Sequence, residues 1–280
     1  MNQRPARTPP NDLLRGWQWF VGALDVIRRH PGVFIPMALA IAVISTLVPV
    51  FGPLAILIWG PALLAGMAVA AHTQASGHTP QVGQLFALFG HGRLGEATKL
   101  CLPLVAGKIV ALFVLSTGLT VQLKAQGIAL VAPEDVQRLM PELIKQMLSP
   151  AMHAWWAAAI IIVMFSWTIA ALAIPRVAMT STPAMAAMAH GFRLVWHHIL
   201  AWVVAIAALF VVLVVVTGLL MFTRVGLIVE LGVLTTMYTL LGPLLYVAWR
   251  DLDTAGSPPG GNPPSAPPRP PAPPSSYLEA

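Results

Sequence analysis

From Gly32 to Ala71 the chain carries no Asp, Glu, Lys or Arg. A run of that length cannot sit in water, and inside a bilayer every backbone polar group must find a partner within the chain. That requirement leaves helices or a closed barrel. Charged residues make up only 9% of the 280 residues and hydrophobic ones 57%, against roughly 25% charged in a soluble domain. The run also exceeds the roughly 7–15 apolar residues of a cleavable signal core.

Six segments approach the roughly 20 residues that cross the hydrocarbon: Gly32–Val50, Pro53–Ala71, Leu100–Val121, His153–Ile174, Ile199–Phe222 and Val225–Trp249. The expected fold class is therefore all-α, a polytopic membrane bundle of six transmembrane helices plus interfacial amphipathic helices. Its domain covers residues 12–252. Residues 1–11 form a disordered N-terminus and 253–280 a disordered, Pro-rich cytoplasmic tail with polyproline character.

Basic residues set the orientation. With both termini inside, the inner segments carry Arg4, Arg7, Arg15, Arg28, Arg29, Arg93, Lys99, Arg176, Arg193, Arg250 and Arg269. The outer ones carry Lys124, Arg138, Lys145 and Arg224. The net charge of +6 thus reads as a membrane signal, and no nucleic-acid partner is expected.

Amphipathic segments lie between the spans. Leu13, Trp17, Phe20, Val21, Leu24 and Ile27 follow helical spacing, with Asn11 or Asp12 as a cap and Asp25 placed to pair with Arg29. Shorter stretches repeat the pattern at Val82, Leu85, Phe86 and Phe89, and at Met185, Met188, Phe192 and Val195, where Thr182 and Pro183 start the helix. An outer stretch shows it at Val136, Leu139, Met140, Leu143, Ile144 and Met147, with a kink expected at Pro141. Such helices cover the rim of the bundle or engage membrane lipid, a protein partner or a second copy.

The order of surface helix, span and Gly-Pro span occurs twice, with Gly22 and Gly191 in register and Gly60-Pro61 matched by Gly242-Pro243. Breakers at matching positions of two halves are a pointer to a transporter site, so transport of a small or lipidic solute is the alternative function. Close helix packing explains the same residues.

Chemistry is sparse. The zinc-protease, serine-hydrolase and phosphate-loop motifs are absent. "SGH" (Ser76–His78) matches a piece of the lipid-phosphatase signature, but its upstream Lys and Arg-Pro box is missing. His197 and His198 project about 100° apart on a helix, which suits one metal badly. Cys101 is a lone cysteine in an apolar segment and reads as packing. No catalytic residue, cofactor or metal is expected. Lys108, roughly 12 Å from the inner edge, and Glu230, roughly 8 Å from the outer, are the intramembrane ionisable groups and the candidate charge pair. Glu230 falls opposite the small, polar stripe of Gly232, Thr235, Thr239, Gly242 and Tyr246, which favours a wet or structural carboxylate over a relay.

"GWQWFVGALDVIRRHPGVF", "GPALLAG", "PRVAMTSTPAMAAMAHGFRLVWHH" and "YVAWRDL" resemble an uncharacterised family of bacterial six-span inner-membrane proteins. They are distantly similar to the membrane domain of glycerophosphodiester phosphodiesterases. The resemblance implies a multi-pass protein of the bacterial inner membrane and brings no catalytic residues. The expectation is an integral inner-membrane protein, not an enzyme.

Overall fold

A computed structural model describes residues 11–47, 51–90, 92–127 and 140–256. The expected disordered residues 1–10, the tail from 257, His91, Arg138 and the first part of the outer amphipathic stretch lie outside the described residues.

Among the described residues all regular structure is helical. The helices are α1 (Asp12–Arg29), α2 (Pro31–Leu47), α3 (Phe51–Ala75), α4 (Ala87–Gly90), α5 (Leu94–Lys99), α6 (Cys101–Ala125), α7 (Met140–Met147), α8 (His153–Ala171), α9 (Ala173–Met179), α10 (Ala184–His197), α11 (Ile199–Leu220) and α12 (Gly226–Gly256), with a 3-10 turn at Val82–Phe86 before α4. Five stretches are long and apolar enough to cross a membrane, and the pair α1–α2 makes a sixth if taken together. The chain is a multi-pass membrane protein. Within the described residues α2 has 17 residues, roughly 25 Å, and the rest of the first expected span, to Val50, lies outside them.

Proline shapes these boundaries. α1 and α2 meet at 105°, because His30 precedes Pro31 and leaves the helical region, with φ −139° and ψ 59°. The fourth span is broken at Leu172 between α8 and α9, where Pro175 has no N–H to return to Ala171. Pro36, Pro61 and Pro243 sit inside α2, α3 and α12 without ending them. Pro141 falls in the first described turn of α7, and the part of the stretch before it, on which the expected kink depends, lies outside the described residues. The last helix runs through Asp253 to Gly256, past the expected end of the membrane domain at 252.

The repeated unit occurs three times. A surface segment followed by two antiparallel helices describes α1 with α2–α3, the Val82–Lys99 segment with α6 and α8–α9, and α10 with α11–α12. Each surface segment seats on the pair before it in cyclic order: α1 on α11 and α12, the Val82 turn on α3, and α10 on α8 and α9. α3, α9 and α12 pack on one another at the centre, where Leu64, Met67, Ile174, Leu244, Leu245 and Tyr246 are fully buried. The two-copy reading rested on the Gly-Pro step, which the middle unit lacks: α8–α9 carries Ile174-Pro175 instead, and its surface segment is a short 3-10 turn and two helices of four and six residues.

Small residues make these seats. At Gly16 an added Cβ would stand 2.1 Å from the carbonyl oxygen of Ala201, so α1 lies backbone to backbone on α11. At Gly66 it would stand 2.2 Å from the carbonyl oxygen of Leu85. Neither neighbour is a flexible side chain that can move aside. Gly66→Ala is expected to lower stability by about 1–3 kcal/mol, read as the thermal unfolding midpoint in detergent. Gly95→Ala, on α5 with open space around it, is the control and loses nothing.

Candidate functional site

Polar side chains gather at the α1 end of the bundle. Asp251, near the end of α12, is the hub. Its Oδ2 accepts a hydrogen bond from Trp19 Nε1 at 2.9 Å and stands 2.9 Å from Arg15 Nε. Both partners come from the face of α1 that Gly16, Trp19, Phe20 and Ala23 bury. Arg15 is 11% exposed, so its guanidinium needs this carboxylate. His198, between α10 and α11, has Nδ1 at 3.1 Å from Asp12 Oδ1 and at 3.4 Å from Arg15 Nη1. The shorter contact decides: Nδ1 donates to Asp12, and Arg15 remains with Asp251. Asp12 is therefore no helix cap, and Asn11 makes no side-chain capping bond either.

A second pair ties α9 to α12, with Arg176 Nη1 donating to Asp253 Oδ1 at 2.8 Å. His190 of α10 lies 4.0 Å from the same carboxylate. Burial, then the nearby Arg176, hold its imidazole below the ordinary histidine value despite Asp253. His72 Nδ1 lies 3.3 Å from the Tyr246 hydroxyl, and Arg250 covers the Tyr246 ring at 5.9 Å. Gln74 Nε2 donates to the Val26 carbonyl at 3.1 Å. Glu96 Oε2 accepts from the Ala184 N–H at 2.7 Å. It thereby caps α10, whose own N-cap residue, Pro183, has no side chain able to do so. Three of the four sequence motifs that carry the family resemblance contribute side chains to this end, and Gly60–Gly66 lies further along α3.

Sequence reasoning named neither Asp251 nor Asp253. The available signal was their position: two carboxylates at the end of a span that the basic residues mark as the inner one. Their partners were not readable, since Trp19 and Asp251 are 232 residues apart.

The surface helices carry two apolar faces rather than one. On α1, Trp19 and Phe20 are buried, while Leu13, Leu14, Trp17, Val21 and Leu24 are exposed. On α10, Met188 and Val195 are buried, while Met185 and Trp196 are exposed. Leu85 turns inward beside exposed Val82, Phe86 and Phe89, and on α7 Leu143 turns inward beside exposed Met140 and Ile144. Asp25 and Arg29 pair as expected, at 2.6 Å. Arg28, Arg193 and His197 are exposed along the same rim.

The Gly-Pro positions meet in part. Gly242 of α12 packs on α3 at Met67, whose Cβ would lie 2.7 Å from an added Cβ, while Gly60 and Pro61 stand two turns away from Met67 on α3. Thr235 and Thr239 put two buried hydroxyls without hydrogen bonds on this part of α12, but Met67 fills the crossing itself. Cys101 is buried. Among the described residues no group of three or more His, Cys, Asp or Glu is placed to hold a metal ion.

Lys108 and Glu230 do not form an ion pair. Both are exposed. α6 packs chiefly on α8, whereas α12 packs on α1, α2, α3 and α11. Helical Cα–Cβ bonds tilt toward the helix N-terminus. α6 begins at the α1 end and α12 at the opposite one, so the two side chains lean apart. Lys108 is roughly 10 Å and Glu230 roughly 6 Å along its helix from that start. Each leans toward its nearer edge, the direction in which a charge finds water or headgroups.

Comparison with known protein families, curated proteins and solved structures finds no match.

Two outcomes follow for the bundle in detergent. Asp251→Asn is expected to cost about 1–2 kcal/mol, the loss of a partly exposed charge-assisted pair, and to speed backbone hydrogen exchange in α1 while leaving α6 and α8 unchanged. Lys108→Gln and Glu230→Gln are expected to be additive in the double variant to within about 0.5 kcal/mol, in thermal or denaturant unfolding; a larger coupling would mean that the two charges meet.

Proposed function

We propose that this is a multi-pass protein of the bacterial inner membrane, related to the six-span family it resembles. Both termini are cytoplasmic, and it works without catalysis by holding anionic lipid against its cytoplasmic rim. One observation carries the reading. α1 and α10 are clamped on one face, yet each presents a second, exposed apolar stripe: Leu13, Trp17, Val21 and Leu24 on one, Met185 and Trp196 on the other. Exposed Arg28, Arg29 and Arg193 border those stripes. Apolar side chains at acyl depth beside guanidinium groups at phosphate depth are the composition of an interfacial lipid-binding helix.

The orientation rests on charge. Arg15, Arg28, Arg29, Arg93, Lys99, Arg176, Arg193 and Arg250 belong to segments at the α1 end, and Lys124, Lys145 and Arg224 to the opposite end. That asymmetry supports a cytoplasmic α1 end. The filled crossing of Gly242 with Met67 speaks against the transporter alternative, which requires a passage there.

Native mass spectrometry of the full chain released from bilayers of equal phosphatidylglycerol and phosphatidylcholine tests the reading. The wild-type chain is expected to retain phosphatidylglycerol preferentially. The triple variant Arg28→Gln, Arg29→Gln, Arg193→Gln is expected to lose about fivefold in that preference per removed charge, with its unfolding midpoint unchanged. Equal retention of the two lipids by wild type would overturn the lipid assignment.

A further inference from the structure

At the elbow between α5 and α6 the chain leaves a cleft of about 370 Å³, lined by Leu94, Gly95, Thr98, Lys99, Cys101 and Leu102. Its walls are mostly apolar. It stays open because Gly95 contributes no side chain and nothing lies within 4 Å of where a Cβ would be. Lys99 stands at its solvent side, 54% exposed and 2.6 Å from Glu96. Above it the lipid-facing side of α6 continues through Ile109, Leu112 and Phe113, each more than half exposed.

Lys108 stands above this cleft on α6 without lining it. It lies seven residues beyond Cys101, which on a helix is two turns up and within about 20° of the same face. It is exposed and takes part in none of the hydrogen bonds or ion pairs found among the described residues. An ammonium facing acyl chains roughly 10 Å along the helix is costly and must find an anion or water. Its stem leans toward the start of α6 and reaches roughly 6 Å, which brings the charge down over the mouth of the cleft. The opening thus has a cation above it, a hydroxyl and the Lys99–Glu96 ion pair beside it, and an apolar track rising from it. That order of groups complements one molecule type: a phosphate ester joined to acyl chains.

We propose that the α5–α6 elbow is a specific seat for a single anionic phospholipid of the inner leaflet. Its phosphate is held beneath Lys108 beside Thr98, its headgroup faces the Lys99–Glu96 pair, and an acyl chain lies along Leu112, about 40° round the helix from Lys108. The proposal rests on the cytoplasmic orientation of the α1 end. It adds to the diffuse rim of α1 and α10 a discrete site with its own residues.

The test uses the full chain in bilayers of equal phosphatidylglycerol and phosphatidylcholine, with lipid retention counted by native mass spectrometry as collisional energy is raised. Wild type is expected to hold one phosphatidylglycerol after the rest have left. Lys108→Gln should reduce that last occupancy by about tenfold, the worth of one charge-assisted contact to phosphate, and Lys108→Arg should restore it. Gly95→Leu fills the cleft without touching a charge and should abolish the retained lipid too. The rim variant Arg28→Gln, Arg29→Gln, Arg193→Gln should lose the loosely held lipids and keep this one. If Lys108→Gln and Gly95→Leu retain the last lipid like wild type, the elbow site is wrong while the rim reading stands. If the last lipid is phosphatidylcholine as often as phosphatidylglycerol, the anionic assignment is wrong.

Discussion

The carboxylate of Asp251 holds the arrangement of the α1 end together. α1 has no covalent reason to lie where it does, since the chain turns through 105° at His30 and hangs the helix off the start of α2. What seats it is its buried face of Gly16, Trp19, Phe20 and Ala23, together with the Trp19 hydrogen bond and the Arg15 ion contact to Asp251. Removing Asp251 would leave the Arg15 side chain, 11% exposed, without its counter-charge and the Trp19 indole N–H without its acceptor. Such groups are costly when unpaired. The first and last described helices therefore lock each other at one end of the bundle.

The same economy of polar groups explains why the middle of the bundle is apolar. The fully buried large side chains are almost all hydrocarbon or thioether, and Tyr246 keeps its hydroxyl beside His72. Hydrogen-bonded polar pairs gather where the helices end. Association in this environment depends on close fit, which is why Gly16, Gly66 and Gly242 sit where neighbouring helices approach within contact distance of their backbone.

The spans were legible because hydrocarbon thickness and backbone hydrogen bonding act on every residue of a long run, and no tertiary contact can override them. The bend at His30–Pro31 was written in the chain but masked by the continuous apolar pattern that follows. The amphipathic spacing at Val82–Phe89 was legible, but the third unit was not recognised as a repeat because its second span carries Ile174-Pro175 in place of Gly-Pro. Periodicity also merged the two faces of α1. Leu13, Trp17, Phe20 and Leu24 share a wide apolar arc, and only the packing on α11 and α12 divides it into a buried edge at Phe20 and a lipid-facing edge at Trp17. The hub at Asp251 stayed hidden for a different reason: spacing identifies faces, never partners on distant segments.

Division of that arc has a mechanical consequence. A free amphipathic helix meeting a bilayer must pay the ordering of its backbone and side chains on each encounter. α1 is already folded, seated and oriented by Trp19, Arg15 and Asp251, so its exposed stripe meets acyl chains without that cost. The lean of Lys108 follows the same logic at larger depth: a charge on a rigid helix, directed by Cβ geometry toward the leaflet it can reach. Glu230, on a helix of opposite polarity, is directed to the other leaflet by the same rule. Two opposite charges in the spans of one protein are therefore drawn apart by helix direction, and each is governed by its own membrane surface rather than by the other.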